Sequence, residues 1–178
     1  MNLSELADPF PPPDIEWRIG RAGVKGEKVW ATCLAYITNR AIMDRLDAVA
    51  GPANWRNEYR TLPIGNSDST VLCGISIKVG EEWVTKWDGS GSMESNAGLS
   101  GADAAKGTLS GAMKRAAVQW GIGRYLYDLP EGYATINENG KHYQPASKNK
   151  DRPVPAFKWN PPDLPKWALP SAPERKAG

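Results

Sequence analysis

Val71-Leu72-Cys73-Gly74-Ile75-Ser76-Ile77-Lys78-Val79 runs into Gly80-Glu81 and on to Glu82-Trp83-Val84-Thr85-Lys86-Trp87. Val71, Cys73, Ile75, Ile77 and Val79 alternate with the residues between them, which places all five on one face of a strand. Gly80-Glu81 is a two-residue link, and glycine in its first position suits a type II′ hairpin. In the strand that follows, Trp83, Thr85 and Trp87 share a face, read here as the apolar one. Upstream, residues 55–62 read as a third strand with Trp55, Asn57, Tyr59 and Thr61 together. These strands predict an antiparallel meander with one buried face.

Working outward, residues 27–49 read as a helix with Trp30, Leu34, Ile37, Ala41 and Met43 on or near an apolar stripe, stopped by Gly51-Pro52. Residues 88–100 are rich in glycine and serine and read as a loop. A second helix follows over 101–120. At 100° per residue, Ala102, Ala105, Leu109, Ala112, Met113, Ala116 and Trp120 form its apolar face. Gly107, Ser110, Gly111 and Lys114 form the opposite stripe, with Arg115 at its edge. Each glycine costs the helix about 1 kcal/mol relative to alanine. Close packing of another backbone is one reason to keep them, and the one the pattern favours. The other is room for a phosphate backbone contacted by Lys114 and Arg115. Residues 121–128 read as a short helical or turn segment. Asn139-Gly140, between 133–138 and 141–143, predicts a type I′ hairpin. The fold class is α+β: a three-stranded antiparallel meander packed on helices, a C-terminal β-hairpin and an extended tail.

With 178 residues, 40% hydrophobic and 24% charged, the chain suits one compact domain with a tail. No apolar run approaches the roughly eighteen residues of a membrane span. Met1-Asn2-Leu3-Ser4-Glu5 lacks the basic-then-apolar order of a signal peptide, so a cytoplasmic location without a membrane partner is expected. Cys33 and Cys73 lie in apolar-patterned segments as small core residues, and with one histidine they do not furnish a structural zinc site. Eight of the 15 prolines follow Tyr143, in a stretch holding seven Lys/Arg against three Asp/Glu. Residues 1–143 are thus read as the domain and 144–178 as a flexible, proline-rich basic tail. Pro9-Phe10-Pro11-Pro12-Pro13 sets off a short N-terminal segment.

Enzyme motifs fit poorly. In Gly101-Ala102-Asp103-Ala104-Ala105-Lys106-Gly107-Thr108 the lysine precedes the glycine, against the order of a phosphate loop, and no strand delivers it. Gly89-Ser90-Gly91 lacks the third glycine of a dinucleotide fingerprint. His142 has no nucleophile motif nearby and reads as an exposed hairpin residue. Asp88, Glu94, Asp103 and Asp128 are the carboxylates a metal-dependent nuclease would draw on. Carboxylates at helix starts and loop ends more often cap or solvate. No catalytic residue, metal or cofactor is expected.

Nucleic-acid binding fits better, because it needs cations that follow a strand and, for single strands, exposed aromatics. Arg56 and Arg60 lie on the face of their strand opposite Trp55 and Tyr59. Lys78 and Lys86 are read opposite the apolar faces of theirs, so the solvent side of the sheet is expected to be basic. An ordinary solvated face would carry the same charges. Trp30, Trp83, Trp87 and Trp120 are assigned to the core, and Trp55 to either role.

Three blocks then carry a resemblance. The first is Pro9-Phe10 followed by Asp14-Ile15-Glu16-Trp17-Arg18. The second is Tyr36-Ile37, a helix, then Gly51 and Trp55. The third is Gly107-Thr108-Leu109-Ser110-Gly111-Ala112-Met113-Lys114-Arg115-Ala116, running on to Gly121 and Tyr127-Asp128. Across residues 9–130 the chain resembles the Rad-fifty-two family of single-strand annealing proteins, in its bacteriophage form. The third block, with its adjacent Lys-Arg pair, is the most specific.

The resemblance implies ATP-independent coating of single-stranded DNA and annealing of complementary strands in phage recombination and repair. It implies a homo-oligomer, as a ring or helical array, with DNA in a basic groove. Lys114 and Arg115 match the family's strand-binding pair. The family's arginine early in the first long helix falls at Ala41, next to Arg40, so Arg40 departs from the pattern. The family's aromatic after the helix-ending glycine is Pro52 here. Arg124 is a further phosphate contact or an i,i+4 partner of Asp128. The expected DNA-binding set is therefore Lys114, Arg115, Arg40, Arg56, Arg60, Lys78, Lys86 and Arg124. The tail is suited to recruiting a host single-strand-binding protein or a phage exonuclease, or to solubilising the chain. The rival function is a non-annealing repair or replication module that binds duplex DNA or protein.

Overall fold

The computed structural model describes residues 1–64, 68–92, 101–147, 149 and 151–171. Its architecture is α+β, and the chain divides into two units: Met1–Pro9 with Ile37–Tyr125, and Phe10–Tyr36 with Leu126–Gly178. No helix among the described residues is long and apolar enough to cross a membrane.

In the first unit, helix α1 is Asn39–Ala50. Thr38 caps it, accepting from the Ala41 N–H at 3.1 Å, and Gly51 ends it at φ 87°. Ala41, Ile42, Leu46 and Ala50 bury its inner stripe, whereas Met43 is exposed. Arg45 donates to the carbonyls of Glu5 (2.9 Å) and Asp8 (2.8 Å). This pins a short 3-10 helix, Leu3–Ala7, whose Leu6 is fully buried.

The meander forms as expected from strands β3 (Trp55–Ile64), β4 (Asp68–Val79) and β5 (Glu82–Ser92), in that spatial order. Gly80 turns the β4–β5 hairpin at φ 63°. Val71, Cys73, Ile75 and Ile77 are buried under helix α2, Gly101–Gln119. Three expectations change. The register pairs Ile77 with Val84 and Lys78 with Trp83, so Val84 rather than Trp83 shares the helix-side face. Strand β5 also continues through Asp88–Ser92, where a loop was expected; the remainder of that loop, 93–100, lies outside the described residues. The buried face of α2 is Thr108, Ala112, Met113, Ala116 and Ala117, with Leu109 left partly exposed. Small residues suit this face because the helix lies close on the sheet: a Cβ at Gly111 would meet Ser90 Oγ at 2.5 Å. Close packing thus accounts for Gly111. A Cβ at Gly107 would meet nothing within 4 Å among the described residues.

The second unit corrects the sequence reading most. Residues 28–37 are strand β2 (Lys28–Ile37), not the first half of a helix, and pair with β1 (Ile15–Lys25). Val29, Trp30, Thr32, Tyr36 and Ile37 are β-branched or aromatic and favour strand. Gly26, at φ 62°, makes the turn. Trp30 is not a helix-stripe residue; its ring lies over Gly23, 39% exposed. Strand β6 (Gly132–Tyr133) adds to β2. The hairpin expected around Asn139-Gly140 is replaced by another pairing. The turn exists, with Gly140 N–H on Asn137 O at 3.2 Å. Its flanks, β7 (Thr135–Ile136) and β8 (His142–Gln144), do not pair with each other, because β9 (Phe157–Asn160) lies between them. Residues after Tyr143 thus supply a strand, and Val154, Phe157 and Trp159 pack with Ala31 and Cys33 in a buried cluster. His142 stacks on Trp159 with ring centroids 4.7 Å apart and is half-buried, which corrects its reading as an exposed hairpin residue.

Candidate nucleic-acid interface

The expected cations separate into two groups. The first follows the edge where α2 meets β5. Arg115 reaches from the helix to the strand: its Nε donates to Asp88 Oδ1 at 3.0 Å and its Nη2 to Oδ2 at 3.3 Å. Gln119, one turn on, donates to Asp88 Oδ2 at 3.0 Å, and the Gly89 N–H donates to Oδ1 at 2.7 Å. Burial alone would raise the Asp88 carboxyl. The hydrogen bonds from Gln119, Gly89 and Arg115, with the guanidinium charge, outweigh it and hold the group below its ordinary value. Asp88, considered above as a metal ligand, is thereby committed to orienting Arg115. The Arg115 side chain remains 52% exposed, and its unused N–H donors are open to a further anion. Lys114, the preceding residue on α2, is half-buried.

Lys86 and Arg124 belong to the same edge, in another role. Lys86 Nζ donates to Gln119 O at 2.9 Å and lies 4.5 Å from the centre of the Trp120 ring. Arg124 donates to Val118 O (2.9 and 2.7 Å) and Gln119 O (3.0 Å). Both satisfy carbonyls at the C-terminus of α2, where the helix leaves acceptors unpaired and favours cations. Lys86 was expected on the solvent side of the sheet; its register opposite Ile75 puts it on the helix side. Trp120 fixes the same end, donating to Ile75 O at 2.9 Å.

The second group is on the outer face of the meander, away from α2. Arg56, Arg60 and Lys78 lie there as expected. The same parity that took Lys86 away brings Trp83 and Trp87 to them. The Arg56 guanidinium lies 4.4 Å from the Trp83 ring centre and that of Arg60 4.2 Å from Trp87. Arg60 also pairs with Glu58 at 2.9 Å, and Lys78 with Glu81 at 3.6 Å. Arg40, near the start of α1, is exposed. Trp55 is held by a bond from its Nε1 to Asp47 Oδ1 at 2.6 Å. Cys73 is inert core: burial pushes its thiol up to about 11, against a smaller lowering from Tyr59.

Asp88, Gln119, Trp83 and Trp87 are the members the sequence reading missed. The two tryptophans were within reach of it, since a two-residue link at Gly80-Glu81 pairs Val79 with Glu82 and Lys78 with Trp83.

The family described as Rad52/22 family double-strand break repair protein matches residues 2–144, a span that includes both cation groups. The chain belongs to that family. Within the family it is similar to the single-stranded DNA-binding protein DdrA of Deinococcus deserti, at 35% identity over 100% of this chain and 76% of that protein. It is likewise similar to the DdrA of Deinococcus radiodurans, at 34% identity over 96% of this chain and 70% of that protein. No solved structure matches the chain. Family membership agrees with the resemblance drawn from the three sequence blocks.

Proposed function

We propose that this chain binds single-stranded DNA along the α2–β5 edge and anneals complementary strands without ATP, as a homo-oligomer acting in recombination and repair. The observation that carries the reading is Arg115. It is held two-pronged by Asp88 yet half exposed, next to Lys114, in a family whose two relatives above are named as single-stranded DNA-binding proteins. A preset guanidinium loses little entropy on meeting a phosphate. Phosphate contacts are blind to sequence, so the held strand keeps its base edges free to test any complement. Neutralising the backbone also lowers the repulsion between two strands. Arg40 and the outer-face cations Arg56, Arg60 and Lys78 are assigned as further phosphate contacts, off this edge. Strand capture is assigned to residues 1–143. The basic remainder is assigned to recruiting a single-strand-binding protein or exonuclease. The phage setting rests on the sequence resemblance.

The test mixes complementary fluorescent oligonucleotides with the full chain, without ATP or metal. Pairing faster than the spontaneous rate is expected. Tight binding of single strands without faster pairing would replace annealing with the non-annealing accessory function.

A further inference from the structure

Two tryptophans and two arginines interleave on the exposed face of a sheet, and the central strand beneath them is small. Gly74 and Ser76 of β4 lie between the arginines of β3 and the tryptophans of β5. The Trp87 ring rests on Gly74 so closely that a Cβ there would meet ring carbons at 2.7 Å. The indole therefore lies along the sheet and presents a ring face outward. Arg60 and Arg56 reach across β4 to cover Trp87 and Trp83. The Ser76–Thr85 hydroxyl bond at 2.8 Å lies between the two rungs. Trp83 is 39% exposed, and the side chain of Arg60 is 62% exposed. Burying an indole normally gains more than leaving it at the surface, so two surface indoles held in fixed orientation call for an explanation.

We infer that this face is a stacking platform for the bases of single-stranded nucleic acid, with Trp83 and Trp87 as the stacking residues and Arg56, Arg60 and Lys78 as the phosphate contacts. The inference rests on the single-strand reading above and adds a surface to it. A base takes the place of each guanidinium on its indole, and the displaced arginine turns to the neighbouring phosphate. Exposed Arg–Glu and Lys–Glu pairs such as Arg60–Glu58 and Lys78–Glu81 hold little energy, so they do not oppose the exchange. The rungs are four residues apart on one strand, about 13 Å. Each therefore holds its own base, and the bases between them stay unheld. Aromatics interleaved with cations on an exposed surface are the usual composition of a single-strand site that does not read sequence.

The experiment compares the full chain with Trp83→Leu, Trp87→Leu and the matching Trp→Phe variants. Leucine keeps an apolar side chain without a ring face; phenylalanine keeps the face. The probes are an oligothymidylate and an abasic oligonucleotide of equal length. Each leucine variant should bind the oligothymidylate about tenfold more weakly and the abasic strand as wild type does, and each phenylalanine variant should stay within about threefold of wild type. Leucine variants that are folded and bind both probes as wild type does overturn the platform while leaving the single-strand reading intact. Equal losses on both probes, or loss of the native assembly in light scattering with leucine and phenylalanine alike, make the face structural or a contact between copies, and overturn it too. Wild type that binds neither probe overturns both readings.

Discussion

Replacing Lys114 and Arg115 with alanine tests the α2–β5 edge, and the structure sets the size of the effect. Each phosphate contact to a single strand contributes about 0.7 to the salt slope, which at 0.15 M salt is about fourfold in affinity. The double variant should therefore bind about fifteenfold more weakly at that salt, with the slope shallower by about 1.4. Arg115 has an added consequence. Its removal leaves the Asp88 carboxylate, still held by Gln119 and Gly89, facing the strand with its charge uncompensated. Arg115→Ala alone should thus exceed the fourfold loss of one contact. Adding Asp88→Asn should recover the excess, though not the contact. In a double-mutant cycle the two changes should be coupled.

Stability should change less. The Arg115–Asp88 bond is half exposed on the arginine side, and such pairs hold about 0.2–1 kcal/mol. For a chain of this size that is at most about 2–4 °C in Tm. Fluorescence anisotropy of a labelled oligonucleotide, titrated from about 50 to 200 mM salt, reads the slope, and thermal unfolding reads the stability. A folded double variant with an unchanged slope would falsify the placement of the strand on this edge. A variant that collapses on heating, well beyond the ion-pair figure, would make the pair structural.

The two helix glycines should part company. Gly107→Ala should stabilise by about 1 kcal/mol through helix propensity, whereas Gly111→Ala drives a methyl into Ser90 and should lower Tm; the reverse order in calorimetry would mean the helix is seated differently. Asp88 titrates below its ordinary 3.8, so its contribution to stability is full above that value and fades as pH falls through the lower folded value. The gap between wild type and Asp88→Asn in denaturant unfolding should be flat near neutrality and close only in acid; a gap that closes at about pH 6 contradicts the depressed titration. The strand preference should favour single-stranded over blunt duplex DNA, and equal affinities across a salt titration refute it. Assembly into many subunits should appear in light scattering, and monomer alone, with and without DNA, rules it out.

What the sequence disclosed about the fold depended on how local the deciding interaction was. The meander was legible because strict alternation and a two-residue turn are both local. The same Gly-Glu dipeptide that turns β4 into β5 also turns β1 into β2, with Gly26 and Gly80 at φ 62° and 63°. At Gly80 it was flanked by a clean alternation and was read as a hairpin. At Gly26 the residues that follow also satisfy a helical stripe, and Trp30 and Leu34, four apart, gave that stripe apparent support. Both are exposed on the strand that forms. Strand β9 was beyond local reading altogether. Phe157-Lys158-Trp159-Asn160 is too short to show a period, and its partners lie more than ten residues back in the chain.

The candidate site divides along the same line. Adjacency on a helix is local, so Lys114 and Arg115 could be singled out from sequence; the Asp88 carboxylate that orients Arg115 is 27 residues away and could not. The outer face is the instructive case, because its information was present and was read with the wrong parity. In a period-two element a register error of one residue exchanges the faces completely. Taking Trp83 and Trp87 as core followed their hydrophobicity and moved Lys86 outward with them. Following the two-residue turn instead sets Trp83 beside Lys78 and Trp87 beside Gly74, and sends Val84 and Lys86 to the helix. Turn length constrains a strand's facing more strictly than residue type does, since an indole has both a buried use and an exposed one. When the two disagree, as they do over β5, the disagreement itself marks aromatic side chains kept at a surface, and a binding face is the first use to test for them.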